Sequence, residues 1–158
     1  MGIAMSGEMR FLRAERFFSK DFEGYVSPKE TLNAIKEYRL SAKKGHALAQ
    51  FKYGYMLSRG LIGEADFKKG MKFIKKSARQ GYPPAITELA RGYYYGFGVQ
   101  KNLKKAVSLW ERGAFMGIGE ASYYAGLAYF KGEGVKKDEK KAEKYLALAK
   151  NGGFEAKF

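Results

Sequence analysis

The sequence predicts an all-α protein built from helix–turn–helix repeats with a period of 36 residues. The period is visible in four columns of equivalent positions: Gly45, Gly81, Gly117 and Gly153; Ala49, Ala85 and Ala121; Gly60, Gly96 and Gly132; and Asp66, Asn102 and Asp138. Regular self-similarity at this spacing is typical of helical repeat arrays. Because the columns agree independently, they define three gapless units at residues 46–81, 82–117 and 118–153.

Two helices are predicted in each unit. The first begins just after the boundary glycine and ends near residue 59, 95 or 131. In the middle unit it starts at Pro83 and Pro84, where a missing N–H costs little. The glycine that follows, such as Gly96, suits a left-handed cap at the end of a helix. The Asp or Asn column suits the N-cap of the second helix, because its side-chain oxygen can accept from free backbone N–H groups.

Residue size within the columns indicates how the two helices pack. Small residues that allow a close helix–helix approach form two columns: Gly54, Ala90 and Gly126 on the first helix, and Gly70, Ala106 and Ala142 on the second. Large residues predicted to fill the core form three more: Tyr53 and Leu89; Leu57, Tyr93 and Tyr129; and Phe73, Leu109 and Tyr145.

The two ends of the chain are less regular. Residues 1–45 are predicted to be a divergent N-terminal capping unit, because terminal repeats usually differ from internal ones. Ser27-Pro28-Lys29-Glu30 reads as a capping box at the start of a helix over residues 28–44, and a partner helix is expected over residues 9–20. Gly24 aligns with Gly60. Residues 154–158 fit either a short C-terminal cap or the start of a truncated repeat, and both readings stay open.

The composition argues against an enzyme. The 158 residues include no Cys and one His, which removes thiol chemistry, Cys-based metal sites and multi-His metal sites. His46 follows a boundary glycine, where a polar residue commonly caps a helix or faces water. The glycine-rich linkers do not follow a strand, as a phosphate-binding loop would require. We therefore expect no catalytic residues, no metal and no cofactor.

The net charge of +14 is unevenly distributed. The linkers and second helices of the three units carry +9 of it, and the three first helices carry only +2. No apolar stretch is long enough to span a membrane, and no signal peptide is recognisable. The expected location is cytoplasmic, while a secreted or periplasmic protein whose signal peptide had been removed stays open.

The repeat columns resemble those of the Sel1-like repeat, a relative of the tetratricopeptide repeat. The third unit carries the resemblance through Ala121, Gly126, Tyr129, Gly132, Gly134-Val135, Asp138, Lys141-Ala142, Tyr145, Ala149 and Gly153. The second unit keeps most of these, whereas the first has Ile62-Gly63 in place of Gly-Val. The resemblance implies a right-handed α/α superhelical solenoid that acts as a scaffold or adaptor. In such solenoids the first helices line a concave groove.

The sequence is compatible with two functions. The first is a non-enzymatic adaptor that binds a protein or peptide through the groove, with these candidate binding residues: Lys52, Tyr55, Arg91, Tyr94, Tyr95, Tyr124 and Lys131. Tyr and Arg dominate binding hot spots, although several of these tyrosines could equally pack between adjacent units. The alternative is a basic surface that contacts nucleic acid or an anionic membrane. Nucleic acid is the less favoured partner, because the lysine clusters lack the interleaved aromatics that single-strand binding uses. The oligomeric state stays open.

Overall fold

The computed structural model describes residues 6–19 and 28–154, and over these residues the chain forms α-helices and no β-strand. The helices are α1 (Gly7–Ser19), α2 (Pro28–Lys43), α3 (Ala47–Ser58), α4 (Phe67–Arg79), α5 (Pro83–Tyr95), α6 (Leu103–Phe115), α7 (Gly119–Lys131) and α8 (Glu139–Asn151). This confirms the predicted all-α class and its helix–turn–helix repeats. None of the described helices is long and apolar enough to cross a membrane.

The capping residues act as the sequence predicts. Asp66, Asn102 and Asp138 are the N-caps of α4, α6 and α8, and each side chain accepts a hydrogen bond from the backbone N–H three residues later, at 2.8, 2.9 and 3.0 Å. The glycines after the first helices adopt left-handed backbone, with φ of +77° at Gly96 and +73° at Gly132. Each linker therefore ends one helix and starts the next through local backbone chemistry.

The chain divides into two compact units, residues 1–82 and residues 83–158. In the first unit, α1 packs on α2, α2 on α3, and α3 on α4. Its core contains Phe11, Tyr38 and Tyr53, which are buried together with alanines of α2 and α3. The predicted leading helices agree closely with α1 and α2, whereas Gly24 and Ser27 lie outside the described residues.

The α3–α4 hairpin shows why small residues occupy the facing columns. A Cβ added at Gly54 would lie 2.6 Å from the carbonyl oxygen of Gly70, and one added at Gly70 would lie 2.5 Å from the carbonyl oxygen of Gly54. Real Cβ atoms are not found at such separations, so the two backbones are nearly in contact. The linker of this unit differs from the other two, because Gly63 has φ of +134° and α3 ends at Ser58, one residue earlier in the repeat than α5 and α7 do.

In the second unit, α5 packs on α6, α6 on α7, and α7 on α8. Ile86, Leu89, Val107 and Trp110 are buried in its core. Tyr129 is also buried, and its hydroxyl donates to a carboxylate oxygen of Glu111 at 2.7 Å. The central helix α6 thus supplies both apolar core residues and a carboxylate that anchors α7.

Candidate binding site

A cavity of about 190 Å³ lies within the second unit, bordered by α5 and α7 and reaching α6. Its lining consists of Arg91, Tyr94, Tyr95, Trp110, Tyr124, Leu127, Ala128, Lys131 and Glu133. Five of the seven candidate binding residues from the sequence therefore meet at one place. The periodicity explains this, because equivalent helix faces of successive repeats border the same space.

Aromatic rings form much of the cavity wall. Tyr124 stacks on Trp110 with ring centroids 5.1 Å apart and planes 21° apart. Tyr94 contacts the same indole at 5.4 Å and packs edge-to-face on Tyr95 at 4.8 Å. Trp110 is 3% exposed, whereas Tyr95 is 56% exposed. The wall therefore runs from a fully buried indole to a tyrosine at the rim.

Arg91 links the two helices that border the cavity. Its guanidinium contacts Glu88 on its own helix at 3.3 Å and Glu120 of α7 at 2.6 Å. A guanidinium can hold two carboxylates at once because its donors form a rigid planar fork. The charge of Arg91 is thus largely balanced inside the protein, and its first role is to fix α5 relative to α7.

Glu133 in the α7–α8 linker closes another side of the cavity. Its Oε2 accepts a hydrogen bond from the hydroxyl of Tyr94 at 2.8 Å. This bond to a carboxylate, with a contribution from burial, raises the pKa of Tyr94 above its usual value. Burial also raises the pKa of Tyr124, and the neighbouring Arg91 offsets part of that increase. Both hydroxyls, which are protonated at neutral pH in any tyrosine, therefore keep their protons to a higher pH than usual.

Trp110 has a feature that distinguishes it from the other lining residues. Its Nε1–H is buried and has no acceptor among the described residues. Buried side-chain donors are usually paired, because an unmade hydrogen bond costs the full desolvation of the group. The indole N–H is thus a buried donor beside the cavity wall for which the described protein atoms provide no acceptor.

Lys52 and Tyr55 belong to the first unit, and the cavity lining does not include them. The ammonium of Lys52 pairs with Glu15 and lies over the rings of Phe11 and Tyr38 at 5.6 and 5.5 Å. Burial alone would raise the pKa of Glu15, but hydrogen bonds from Lys52 and Tyr38 lower it overall. Lys52 therefore holds α3 to α1 and α2.

Tyr55 contacts one neighbour on α3 and the residue that caps the C-terminus of this helix. The guanidinium of Arg59 lies over its ring at 5.1 Å, and Phe51 packs against it at 5.9 Å. The ring is 37% exposed. Its side chain is therefore partly accessible in the first unit, and it is not one of the residues that line the cavity around Trp110.

The lysine clusters form an exposed basic face on α4. A shallow depression there is lined by Asp66, Lys68, Lys69, Lys72, Phe73, Lys75, Lys76 and Arg79. One carboxylate thus stands among six cationic side chains. This face carries much of the protein's excess positive charge within a single helix.

His46 has a structural role in the first unit. Its Nδ1 accepts from the backbone N–H of Ala49 at 3.3 Å as the N-cap of α3, and its ring stacks on Phe11 at 4.4 Å. Over the described residues, no three His, Asp or Glu side chains are grouped so that they could hold a metal ion.

The repeats of the sequence match a known protein family at the same spacing. A family model for the Sel1 repeat matches residues 47–82, 83–117 and 119–154, each start 36 residues after the last. Sel1 repeats typically mediate protein–protein interactions and are generally non-catalytic scaffolds. No curated protein matches the chain.

Three solved structures are similar in fold. A protective antigen of uropathogenic Escherichia coli with an SLR fold has 24% sequence identity and a TM-score of 0.83. The alignment covers 94% of this chain and 31% of the antigen. A Sel1 repeat protein of Oxalobacter formigenes has 25% sequence identity and a TM-score of 0.78. The alignment covers 93% of this chain and 57% of that protein. Helicobacter pylori cysteine-rich protein B has 21% sequence identity and a TM-score of 0.63. The alignment covers 79% of this chain and 92% of that protein. The chain thus spans about a third and somewhat over half of the first two proteins.

Proposed function

Because the chain belongs to the Sel1 repeat family, we propose that it is a non-enzymatic interaction module that holds a peptide or protein partner at the cavity around Trp110. The observation that carries the proposal is the convergence of Arg91, Tyr94, Tyr95, Tyr124 and Lys131 on one cavity. Tyr, Trp and Arg are enriched among the residues that contribute most to binding energy.

The size of the cavity favours a side chain over a free metabolite. Small-molecule sites usually enclose about 300–1,000 Å³, and this cavity encloses about 190 Å³. A single side chain of a partner segment fits such a volume, while the rest of the segment lies across the exposed rim. The rim offers Tyr95 and Lys131, both of which are exposed.

Long-range electrostatics favour an acidic partner. The chain carries a net charge of +14, so its field accelerates encounter with negatively charged proteins. Within the site, Arg91 is already paired with Glu88 and Glu120. Lys131 therefore contributes the positive charge and Glu133 the negative charge. We therefore expect a partner segment that combines apolar or aromatic groups with acidic ones.

A pair of variants with matched controls tests this function. The partner is first captured from cells of the source organism, identified, and titrated as a purified protein. Tyr95→Ala removes one aromatic ring from the cavity rim, and Lys131→Glu reverses one charge there. Phe130→Ala is the control for the first, because Phe130 is 55% exposed on the same helix pair and does not line the cavity. Lys140→Glu on α8 is the control for the second.

The expected result is a loss of affinity of about tenfold for each rim variant, since truncating a hot spot costs more than 1 kcal/mol. Both controls should bind as the unmodified protein does. Equal affinities for rim variants and controls would refute the proposed site. Far-ultraviolet circular dichroism of all four variants checks that each remains folded.

A second candidate function rests on the basic face of α4. Six cationic side chains around one shallow depression could contact nucleic acid or an anionic membrane. Such binding should weaken steeply between about 50 and 200 mM salt, and Lys72→Glu with Lys76→Glu should abolish it. Binding at the cavity should change much less with salt and should survive both α4 substitutions.

A further inference from the structure

We propose that the first unit carries a docking surface of its own, a groove between α2 and the α3–α4 linker that receives an acidic amphipathic helix of a partner protein. The groove encloses about 900 Å³. It shares no lining residue with the cavity around Trp110. The inference therefore goes beyond the proposed function and assigns a different surface of the chain.

The apolar side chains of the groove are anchored at its floor and accessible at its rim. Six of the lining residues are apolar or aromatic: Leu32, Ile35, Tyr53, Leu57, Leu61 and Ile62. Leu57 and Ile62 pack against the core of the first unit. Leu32 and Leu61, by contrast, are 67% and 64% exposed. Single exposed apolar residues are ordinary, but several around one groove are typical of an interaction surface.

The second unit provides an internal comparison for this groove. Eight of the eleven residues that line the groove have equivalents, two repeats later, in the lining of a depression beside α6. The equivalent of Leu57 there is Tyr129, whose hydroxyl donates to Glu111 at 2.7 Å. Glu111 is in turn the equivalent of Arg39. The polar pair that is satisfied within the second unit is thus replaced in the first by an apolar side chain and a guanidinium.

The linker that departs from the repeat pattern lies at the same groove. In the second unit a Cβ added at Gly134 would lie 2.6 Å from the carbonyl oxygen of Leu103, so the linker touches the backbone at the start of α6. The first unit has Ile62 at the equivalent position, and a branched side chain has no room in such a contact. Ile62 and its neighbour Leu61 line the groove instead. The departure therefore adds apolar surface beside α2.

The charged residues of the lining have a single sign. Lys36, Arg39 and Lys69 line the groove, and no carboxylate does. The three residues are exposed, and none forms an ion pair among the residues that the structure describes. Acidic side chains beside an apolar stripe complement this arrangement, whereas a basic segment would meet like charges.

The shape of the groove favours a helix over a small molecule. Small-molecule sites enclose most of the ligand surface, whereas the exposed Leu32 and Leu61 leave this groove open. An amphipathic helix needs to bury only its apolar face. The α2 residues of the lining fall within residues 31–39, a length of about 12 Å. About two turns of a partner helix match that length.

Four capped peptides of about 15 residues test the chemistry by fluorescence anisotropy with this 158-residue chain at constant ionic strength. The acidic probe carries leucines on one helical face and glutamates on both sides of that face. One control peptide replaces every Glu by Gln, a second replaces every Glu by Lys, and a third replaces every Leu by Ala.

Two pairs of variants locate the binding. Leu61→Ser removes an apolar side chain from the groove, and Leu148→Ser makes the same change on α8, where Leu148 is 50% exposed and outside the groove. Lys36→Glu reverses a charge of the lining, and Lys72→Glu makes the same change at the equivalent position one repeat later, outside the groove. All four positions are exposed, so each variant should stay folded, which circular dichroism checks.

The acidic probe should bind saturably and about tenfold more tightly than the Gln and Ala controls, and the Lys peptide should not bind. Leu61→Ser and Lys36→Glu should each weaken the acidic probe by about tenfold. Leu148→Ser and Lys72→Glu should bind it as the unmodified chain does. Tyr95→Ala should also leave it unchanged, because Tyr95 lines the other site.

Several results would overturn the inference. Equal binding of the four peptides would do so, as would no binding of the acidic probe, which would follow if another part of the chain filled the groove. Equal losses in Lys36→Glu and Lys72→Glu would show unspecific charge attraction, and a loss in Tyr95→Ala would place the probe at the cavity around Trp110.

Two other occupants are tested in parallel. Self-association of the unmodified chain in sedimentation velocity that Leu61→Ser abolishes would assign the groove to a second copy of the chain. Binding to phosphatidylserine-containing vesicles that Leu61→Ser abolishes would assign it to a membrane. Either result would overturn the inference, and neither would affect the proposed function, whose test uses Tyr95→Ala and Lys131→Glu.

Discussion

Replacing Gly70 by Ala should destabilise the first unit, because the α3–α4 crossing has no room for a methyl group. The new Cβ would lie 2.1 Å from the Oγ of Ser58, 2.5 Å from the carbonyl oxygen of Gly54 and 2.9 Å from the backbone nitrogen of Ser58. Two of these three atoms belong to the backbone and cannot rotate away. The Ser58 hydroxyl is itself bonded to the carbonyl of Gly54 at 3.0 Å.

The magnitude follows from two opposing effects. Overpacking of this kind costs about 1–3 kcal/mol, and the backbone contacts place Gly70→Ala near the upper end. Ala gains about 1 kcal/mol over Gly in a helix interior. The net expectation is a destabilisation of about 2 kcal/mol, or roughly 10 °C in the melting temperature of a unit of this size.

Thermal unfolding followed by circular dichroism measures this, with Lys72→Ala at an exposed position of α4 as the control. The control should change the melting temperature little, because surface substitutions are usually within about 0.5 kcal/mol. The double variant Gly70→Ala with Ser58→Ala should recover part of the loss, since it removes the 2.1 Å contact. A Gly70→Ala protein that melts higher than the unmodified chain would show that helix propensity alone governs this position and would refute the close crossing.

Further predictions concern caps and titration. Asn102→Ala should lower the free energy of unfolding, measured by chemical denaturation, by about 1 kcal/mol, because Asn102 Oδ1 accepts a hydrogen bond from the backbone N–H of Lys105. Asn102→Asp keeps an acceptor and should cost far less. Equal losses in the two variants would contradict the capping role. The hydrogen bond to Glu111 and burial raise the pKa of Tyr129 to about 12. Because the unfolded value is near 10.0, the stability from this proton is complete below about pH 10 and is lost as pH rises toward 12. In Glu111→Gln an NMR titration of Tyr129 should give a pKa closer to 10, and an unchanged value would contradict the assigned cause.

Much of the fold was predictable because it depends on local chemistry repeated three times. Glycine columns mark left-handed linkers at Gly96 and Gly132, and Asp or Asn columns mark N-caps, so both signals survive without knowledge of long-range contacts. The facing small-residue columns likewise predicted the close approach of Gly54 and Gly70.

The cavity was only partly predictable. Its tyrosines and cations are visible as first-helix positions outside the core columns. Trp110 was missed because its column also holds Ile74 and Leu146, which makes it read as ordinary core. The signal that could have found it is the polar N–H of a lone Trp in an aliphatic column, since a buried indole usually needs an acceptor.

Glu133 and the double pairing of Arg91 depend on distances that sequence spacing does not give. Tyr94 and Glu133 are 39 residues apart, and Arg91 and Glu120 are 29 apart. Neither separation equals the repeat period, so these contacts depend on how a linker or helix start of one repeat meets the first helix of the preceding one. The contact of Lys52 with Glu15 could not be predicted for the same reason, because the two residues are 37 positions apart and Glu15 lies in the divergent leading segment.

The most direct test of the central claim is a ¹H–¹⁵N NMR titration of this 158-residue chain with its identified partner, observed at the indole cross-peak of Trp110, its one Trp. If the cavity holds a partner side chain, the peak should shift and saturate with the dissociation constant that calorimetry measures. Lys131→Glu should raise the dissociation constant by about tenfold in both measurements, and Lys140→Glu should leave it unchanged in both. If calorimetry shows saturated binding while the indole peak stays at its free position, the partner binds elsewhere and the central claim is wrong.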